Sequence, residues 1–363
     1  MSESGSRKTL YLHIGLNKTG STFVQRCLRN NEGRLAKRGF LYPCKRRAPY
    51  FQRGQHVPLA AALTGLPVYW LNKVKSRRLD SAVPAFLEEA KAFEGENIIL
   101  SSEAFGSKNV TREIVEGMKD LLADFDVKVV AYLRRQDDYI LSTYQQDVKV
   151  GSRHKFDFAE RMSGEQNRFY NRIAPYISVF GKEQVIIRPY DKSRWKGGEL
   201  FLDFLQVIGC PDEGLEMVAA ENEGLDFRHV NLLRDANQFL APLGSEPNGK
   251  DDQMVRTSIL RHLKKDKAAG LQTEKLALSN RQIREVQEYF LEENKRLWGE
   301  QEGADFVRPK KDEPLGNTDK SAADWEIGLR LIIELCRENI RLQNKIQDLP
   351  EQQKSKGSRK AGS

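Results

Sequence analysis

The chain of 363 residues has only four cysteines, Cys27, Cys44, Cys210 and Cys336, and no C-x-x-C pair. Their scatter excludes a disulfide framework and the usual zinc spacings, and it points to a reducing, cytoplasmic compartment. No apolar run approaches the ~18 residues of a membrane span, and no apolar stretch of the signal-peptide kind precedes the first strand. There is no internal repeat, and Lys and Arg are spread along the chain without a recognised nucleic-acid-binding motif. What is present is a globular composition, 39% hydrophobic and 30% charged, with 59 Lys and Arg against 51 Asp and Glu. The resulting net charge of +8 suits an anionic ligand. The length allows one large α/β domain or two smaller ones.

Four apolar runs read as buried strands: LYLHIG (10–15), NIILSSE (97–103), VKVVAYLRR (127–135) and QVIIRPYD (184–191). Helical patterns separate them, including STFVQRCLRNNEGRLAKRG as a single helix stopping at Gly39. Strands alternating with helices predict an α/β fold, a P-loop-like parallel sheet with helices on both faces. Right-handed crossovers then bring the loop 15–22, Glu103, Arg134 and Tyr190 to one edge. The expected organisation is a polar leader (1–8) and an α/β domain (9–300) whose last part, 220–300, is a C-terminal helical region. A linker (301–324), a short coiled-coil-like helix (325–349) and a disordered tail (350–363) follow. In 325–349, Ile332, Asn339 and Ile346 fall at a positions and Leu335, Leu342 and Leu349 at d. That pattern favours a parallel two-stranded homodimer; Ile333 and Ile340 lie off the seam and favour a helix docked on its own domain.

The segment GLNKTGST (15–22) follows the first strand and opens a helix. It has the two glycines and final Thr of a nucleotide P-loop, G-x-x-x-x-G-K-[ST], but lacks the lysine at position seven, which is Ser21. The lysine stands three residues earlier, at Lys18. Backbone N–H groups and the dipole at a helix start serve any phosphate, and Gly15 and Gly20 permit close approach. Where an ATPase would place an acid for Mg²⁺, the third strand ends in Arg134–Arg135. The protein thus supplies the cations, and Lys18 can reach a bridging oxygen and a group beyond it.

NKTGST resembles the 5′-phosphosulfate loop of the sulfotransferases that use 3′-phosphoadenosine-5′-phosphosulfate (PAPS). LRRQDDYILSTY is similar to their 3′-phosphate motif, an Arg at a strand end and a Ser eight residues on, here Arg134 and Ser142. RPYDKS…LFLDFLQVIG resembles their fourth strand and following helix. The resemblance covers roughly residues 10–210 and is nearer to bacterial and carbohydrate-type members. It implies that Lys18, Thr19, Gly20, Ser21 and Thr22 hold the 5′-phosphosulfate through backbone amides and the Thr22 hydroxyl. It also implies that Lys18 stabilises the bridging oxygen, that Arg134 and Ser142 bind the 3′-phosphate, and that Tyr190 lies near adenine. The implied reaction needs no metal and moves a sulfuryl group to a hydroxyl or amine acceptor, a saccharide. Two departures stand out. Asn17 replaces a frequent Pro, and the family's C-terminal R-K-G segment is not evident near residue 260; SRWKGGE (193–199) has similar chemistry elsewhere.

Such a transfer is helped by a base. Glu103, ending the second strand, and His56, in GQHVPLAAAL, are the two candidates, and His13 inside the first strand reads as a core histidine. A P-loop kinase or NTPase and an inactive nucleotide-binding protein are the competing readings.

Overall fold

The computed structural model describes residues 7–52, 54–67, 79–219, 225–240, 250–268 and 276–299, with isolated positions at 328, 332, 335, 338 and 339. In chain order the described elements begin with β1 (Lys8–Ile14), α1 (Ser21–Asn30), α2 (Glu32–Ala36), β2 (Phe40–Leu41), α3 (Val57–Thr64), α4 (Ala82–Ala92) and β3 (Asn97–Ser102). Next come α5 (Arg112–Leu121), β4 (Phe125–Leu133), α6 (Gln136–Lys149), α7 (Phe158–Ser163), α8 (Phe169–Phe180), β5 (Val185–Pro189) and α9 (Leu200–Val207). Three further helices follow, α10 (Phe227–Leu240), α11 (Lys250–Ala268) and α12 (Asn280–Trp298).

The strands form one parallel sheet in the order β2-β3-β1-β4-β5. β1 is the middle strand, and both of its faces are covered: Leu10, Leu12 and Ile14 on one, Tyr11 and His13 on the other, all buried. A strand buried on both faces reads as a continuous apolar run, which is why the central strands are legible. β5 is an edge strand and ends in Pro189, where a missing N–H costs no ladder bond. From β1 the chain travels outward to β2 and β3, then crosses back over β1 to β4 and β5. Right-handed crossovers in opposite directions place their helices on opposite faces. Accordingly α1 packs with α9, while α3, α4, α5 and α8 pack in a separate chain of contacts. The fold class is α/β, as the alternation of strands and helices implies.

Two details differ from the sequence reading. The strand β2 is an addition, too short to carry any periodicity. The helix expected over 21–39 is two helices, broken at Asn31. Its side-chain amide donates to Cys27 O (2.8 Å) and Glu216 O (2.7 Å) and accepts from the Glu216 N–H (2.9 Å), so it serves a distant loop instead of a helical turn.

The chain divides into two compact units. The first comprises 1–140, 162–223 and 283–311 and holds the sheet and its core. The second comprises 141–161, 224–282 and 312–363. Within it, Asn237 on α10 donates to Val148 O and Ser152 O (2.8 and 2.9 Å) and accepts from Arg256 on α11 (3.0 Å). The linker 301–324 and the tail 350–363 lie outside the described residues, as does most of the helix expected over 325–349. Of that helix, Ile332 is exposed, and Glu338 accepts from Ser258 (2.8 Å) and Arg261 (3.0 Å) of the same unit. Among the described residues no helix is long and apolar enough to cross a membrane.

Candidate functional site at the carboxyl edge of the sheet

Four parallel strands, β1, β3, β4 and β5, deliver their C-terminal ends to one edge, and β1 lies where the order of connection reverses. Open parallel sheets bind ligands at such a point. The loop 15–20 leaves β1 there and enters α1. Gly15 N–H donates to Ser102 O at the end of β3 (3.3 Å), and the Thr19 hydroxyl donates back to Leu16 O (2.6 Å), closing the turn on itself. Lys18 (φ 67°) and Gly20 (φ 76°) both occupy the left-handed region. Gly20 has no alternative: a Cβ there would collide with Leu200 and lie 3.2 Å from the Tyr190 ring. A Cβ at Gly15 would lie 2.5 Å from Ser21 Oγ and 3.2 Å from Glu103 Cγ.

α1 starts at Ser21 without a side-chain cap and without an acidic residue in its first turn, leaving its end positive. Ser21 is only 2% exposed, and its Oγ is buried with no hydrogen-bond partner. A buried hydroxyl without a partner costs free energy unless a ligand completes it. Thr22, next along, is exposed. The loop therefore has an uncapped helix start, a hydroxyl in want of a partner, and glycines where any side chain would fill the space. These features fit a bound phosphate or phosphosulfate group.

Around this loop the structure gathers three of the residues expected from sequence. Glu103 follows β3 and opens a 3-10 turn, Glu103–Gly106, in which Ser102 Oγ accepts the Ala104 N–H (3.2 Å). It is half-buried. Burial pushes its carboxyl above the usual carboxylate range, opposed by the charges of Lys18 and Arg172. Arg134 follows β4, and its Nη1 donates to Lys18 O (3.4 Å), so guanidinium and loop border one crevice. Of the tandem arginines, Arg135 turns away onto Asp137, with Nε donating at 3.0 Å, which leaves Arg134 on the loop side. Tyr190 follows β5. Its N–H donates to Leu133 O (2.6 Å), and its ring lies 5.6 Å from the Arg134 guanidinium and 4.9 Å from Trp195.

His56 is placed otherwise. It is fully enclosed, and its ring is held by the backbone at both nitrogens. Nε2 donates to Pro43 O (2.8 Å), which leaves Nδ1 to accept the Ser101 N–H (3.1 Å). Burial lowers its pKa to about 4, with the bonds to Pro43 and Ser101 opposing. Its lone pair is thus already engaged. His13 is buried in β1, with Nδ1 2.8 Å from Ser101 Oγ and a pKa lowered by burial to about 4. Ser142 lies on α6, half-buried, in the second unit.

Arg172 was not foreseen. It is 6% exposed on α8, and its Nε donates to Gly106 O (2.8 Å), with Nη2 on the same oxygen. Gly106 in turn packs against Gly15 and Leu16. A signal existed: Phe169, Arg172, Ile173 and Tyr176 are the buried face of α8 at helical spacing, so a charge sits inside an apolar stripe. Among the described residues no group of three or more His, Cys, Asp or Glu side chains is placed to hold a metal ion.

No protein-family model matches the sequence. An uncharacterized protein from Archaeoglobus fulgidus is 31% identical over 144 residues, a stretch that takes in 39% of this chain and 39% of that protein. The chain thus matches well under half the length of that relative. Among solved structures, a sulfotransferase from Alicyclobacillus acidocaldarius superposes with a TM-score of 0.38 at 16% identity, over 71% of this chain and 97% of that one. A superposition at that level decides neither activity nor ligand.

Proposed function

We propose that the chain is a sulfotransferase that moves a sulfuryl group from PAPS to a hydroxyl or amine of a saccharide acceptor. One observation supports the reading: the Arg134 guanidinium, from the end of β4, lies on the backbone of Lys18 (3.4 Å) in the loop that follows β1, beside an uncapped helix start. A nucleotide with anionic groups at both ends of its ribose needs two such positions.

PAPS supplies an activated sulfuryl group on a phosphate leaving group. The loop amides of 18–22 and the hydroxyls of Ser21 and Thr22 hold the phosphosulfate end. Lys18 neutralises charge growing on the bridging oxygen, the kind of preorganised electrostatic stabilisation that dominates many enzymes. Arg134 binds the ribose 3′-phosphate by charge-assisted hydrogen bonds, with Tyr190 beside the base. The acceptor oxygen or nitrogen forms a bond to sulfur, and the bond from sulfur to the bridging oxygen breaks. The acceptor proton passes to Glu103, and 3′-phosphoadenosine-5′-phosphate (PAP) leaves. Glu103 takes the base role ahead of His56 because its carboxylate borders the loop, whereas both His56 nitrogens are occupied by backbone. Cys27, Cys44 and Cys210 are buried free thiols, in keeping with a reducing, cytoplasmic setting.

Thermal shift with PAP against ATP–Mg²⁺ tests the reading. A specific ligand at ~100 times its dissociation constant adds about 2.7 kcal/mol of stability. Stabilisation by ATP–Mg²⁺ and none by PAP would establish the kinase or NTPase alternative. PAP binding without turnover of PAPS across a broad acceptor panel would establish an inactive nucleotide-binding protein.

A further inference from the structure

A groove of about 450 Å³ opens in the first unit between the start of α8 and the C-terminal half of α12. That volume lies within the range of small-molecule sites, but the lining is unusual for one. No aliphatic side chain contributes to it. Its walls are three carboxylates (Glu165, Glu292, Glu293), two guanidiniums (Arg168, Arg296), two tyrosines and an asparagine. Lys295 pairs with Glu292 (3.2 Å) and Arg168 with Glu293 (3.6 Å), so charges of both signs are matched along the groove.

The walls are held in place. Glu293 accepts the Tyr170 N–H (2.9 Å) and so caps the start of α8 from another helix. The Arg296 guanidinium stacks 3.7 Å from the Tyr170 ring centre. Arg168 lies 5.2 Å from the Tyr289 ring and donates to its hydroxyl (2.8 Å). Both walls are also tied to the carboxyl edge. Arg172, one turn beyond Arg168, donates to Gly106 O, and Gly106 packs on the phosphate loop. On the other wall Asn294 exchanges amide hydrogen bonds with Gln136 (2.7 and 3.3 Å), two residues beyond Arg134.

We propose that this groove holds the acceptor as a neutral or amine-bearing oligosaccharide, whose hydroxyls are bonded by Glu292 and Arg296. The assignment rests on the sulfuryl-transfer reading for its role but not for its binding. A chain of hydroxyls donates to carboxylates and accepts from guanidiniums, matching both kinds of wall at once. An apolar ligand would desolvate those charges without replacing their hydrogen bonds. An acidic peptide or an already sulfated sugar would compete with Glu292 and Glu293 for Lys295 and Arg168, which those carboxylates already hold.

The test uses the full chain on an array of neutral, amine-bearing and sulfated oligosaccharides, with lysine-rich peptides alongside and PAP thermal shift in parallel. The expected result is capture by neutral or amine-bearing oligosaccharides, weakened about tenfold in Glu292→Ala and in Arg296→Ala, a difference of about 1.4 kcal/mol. The PAP shift of each variant stays as in the wild type; Glu292→Ala melts as the wild type does, and Arg296→Ala melts slightly lower because it loses the Tyr170 stack. Capture of none of the saccharides, preference for sulfated ones or for the peptides, or equal saccharide capture by both variants overturns the proposal. Variant-sensitive capture without a PAP shift supports the groove and removes the transfer reading. A PAP shift with variant-insensitive capture does the reverse.

Discussion

The phosphate loop and the groove between α8 and α12 belong to the same edge of the first unit yet are built on opposite terms. The loop is tight: glycines stand where a Cβ would collide, and Lys18 and Arg134 supply positive charge with one carboxylate, Glu103, set half-buried beneath them. The groove is open, and its carboxylates and cations are matched one against another. The contrast suits a two-substrate transfer, in which a polyanionic donor and a hydroxyl-rich acceptor must not compete for one surface. It also shows that a net charge of +8 describes neither region.

Lys18→Ala should give the largest effect, because it removes the loop's cation and leaves the groove between α8 and α12 untouched. Turnover of PAPS should fall by about 10²–10³, the usual loss of an electrostatic stabiliser, while PAP affinity by calorimetry falls much less. Equal losses in both would merge the two roles that the comparison separates. Arg134→Ala should do the opposite. Losing hydrogen bonds to a charged phosphate, at about 1.5–3 kcal/mol, weakens PAP by roughly 10- to 100-fold. Unchanged PAP affinity would remove Arg134 from the donor side.

Gly20→Ala probes tightness instead of charge. With φ at 76° and Leu200 in the way, it should lower stability by about 1–3 kcal/mol in urea titration. Tolerance without loss would mean that the loop has room to spare.

The smallest effect on stability concerns Glu103. Its carboxyl is raised by burial, so the rate should fall as pH drops through that raised value, above the ordinary carboxylate range. Lys18 opposes the rise, so removing Lys18 moves the acid limb to higher pH. The stability sign runs the other way. A carboxyl raised in the folded state favours folding at low pH and loses that contribution as pH rises through the folded value. Glu103→Gln should therefore melt slightly above the wild type at neutral pH while losing the acid limb of its rate profile. A lower melting temperature, or a retained limb, would show that Glu103 is a structural residue.

Much of this arrangement could be read from the chain. β1, β3 and β4 are apolar runs because both of their faces are covered, and Lys18 and Arg134 are visible because they stand at strand ends. The misses share a cause. β2 has two residues and hence no pattern, and Asn31 breaks a helix by bonding a loop 185 positions away. His56 read as a candidate base, but its partners are main-chain groups of Pro43 and Ser101, which no side-chain motif records. Arg172 likewise answers to a carbonyl 66 residues distant. Local pattern reveals what a residue offers; long-range backbone contacts decide whether it is engaged.

The left-handed backbone at Lys18 has a practical consequence. Glycine adopts that shape more readily than any other residue, so Lys18→Gly should preserve or firm up the loop while deleting the ammonium. In a library randomised at this codon, sorting for yield of folded protein would enrich glycine, and sorting for sulfated product would restore lysine. The position would then register, in one experiment, how far foldability and chemistry pull in different directions.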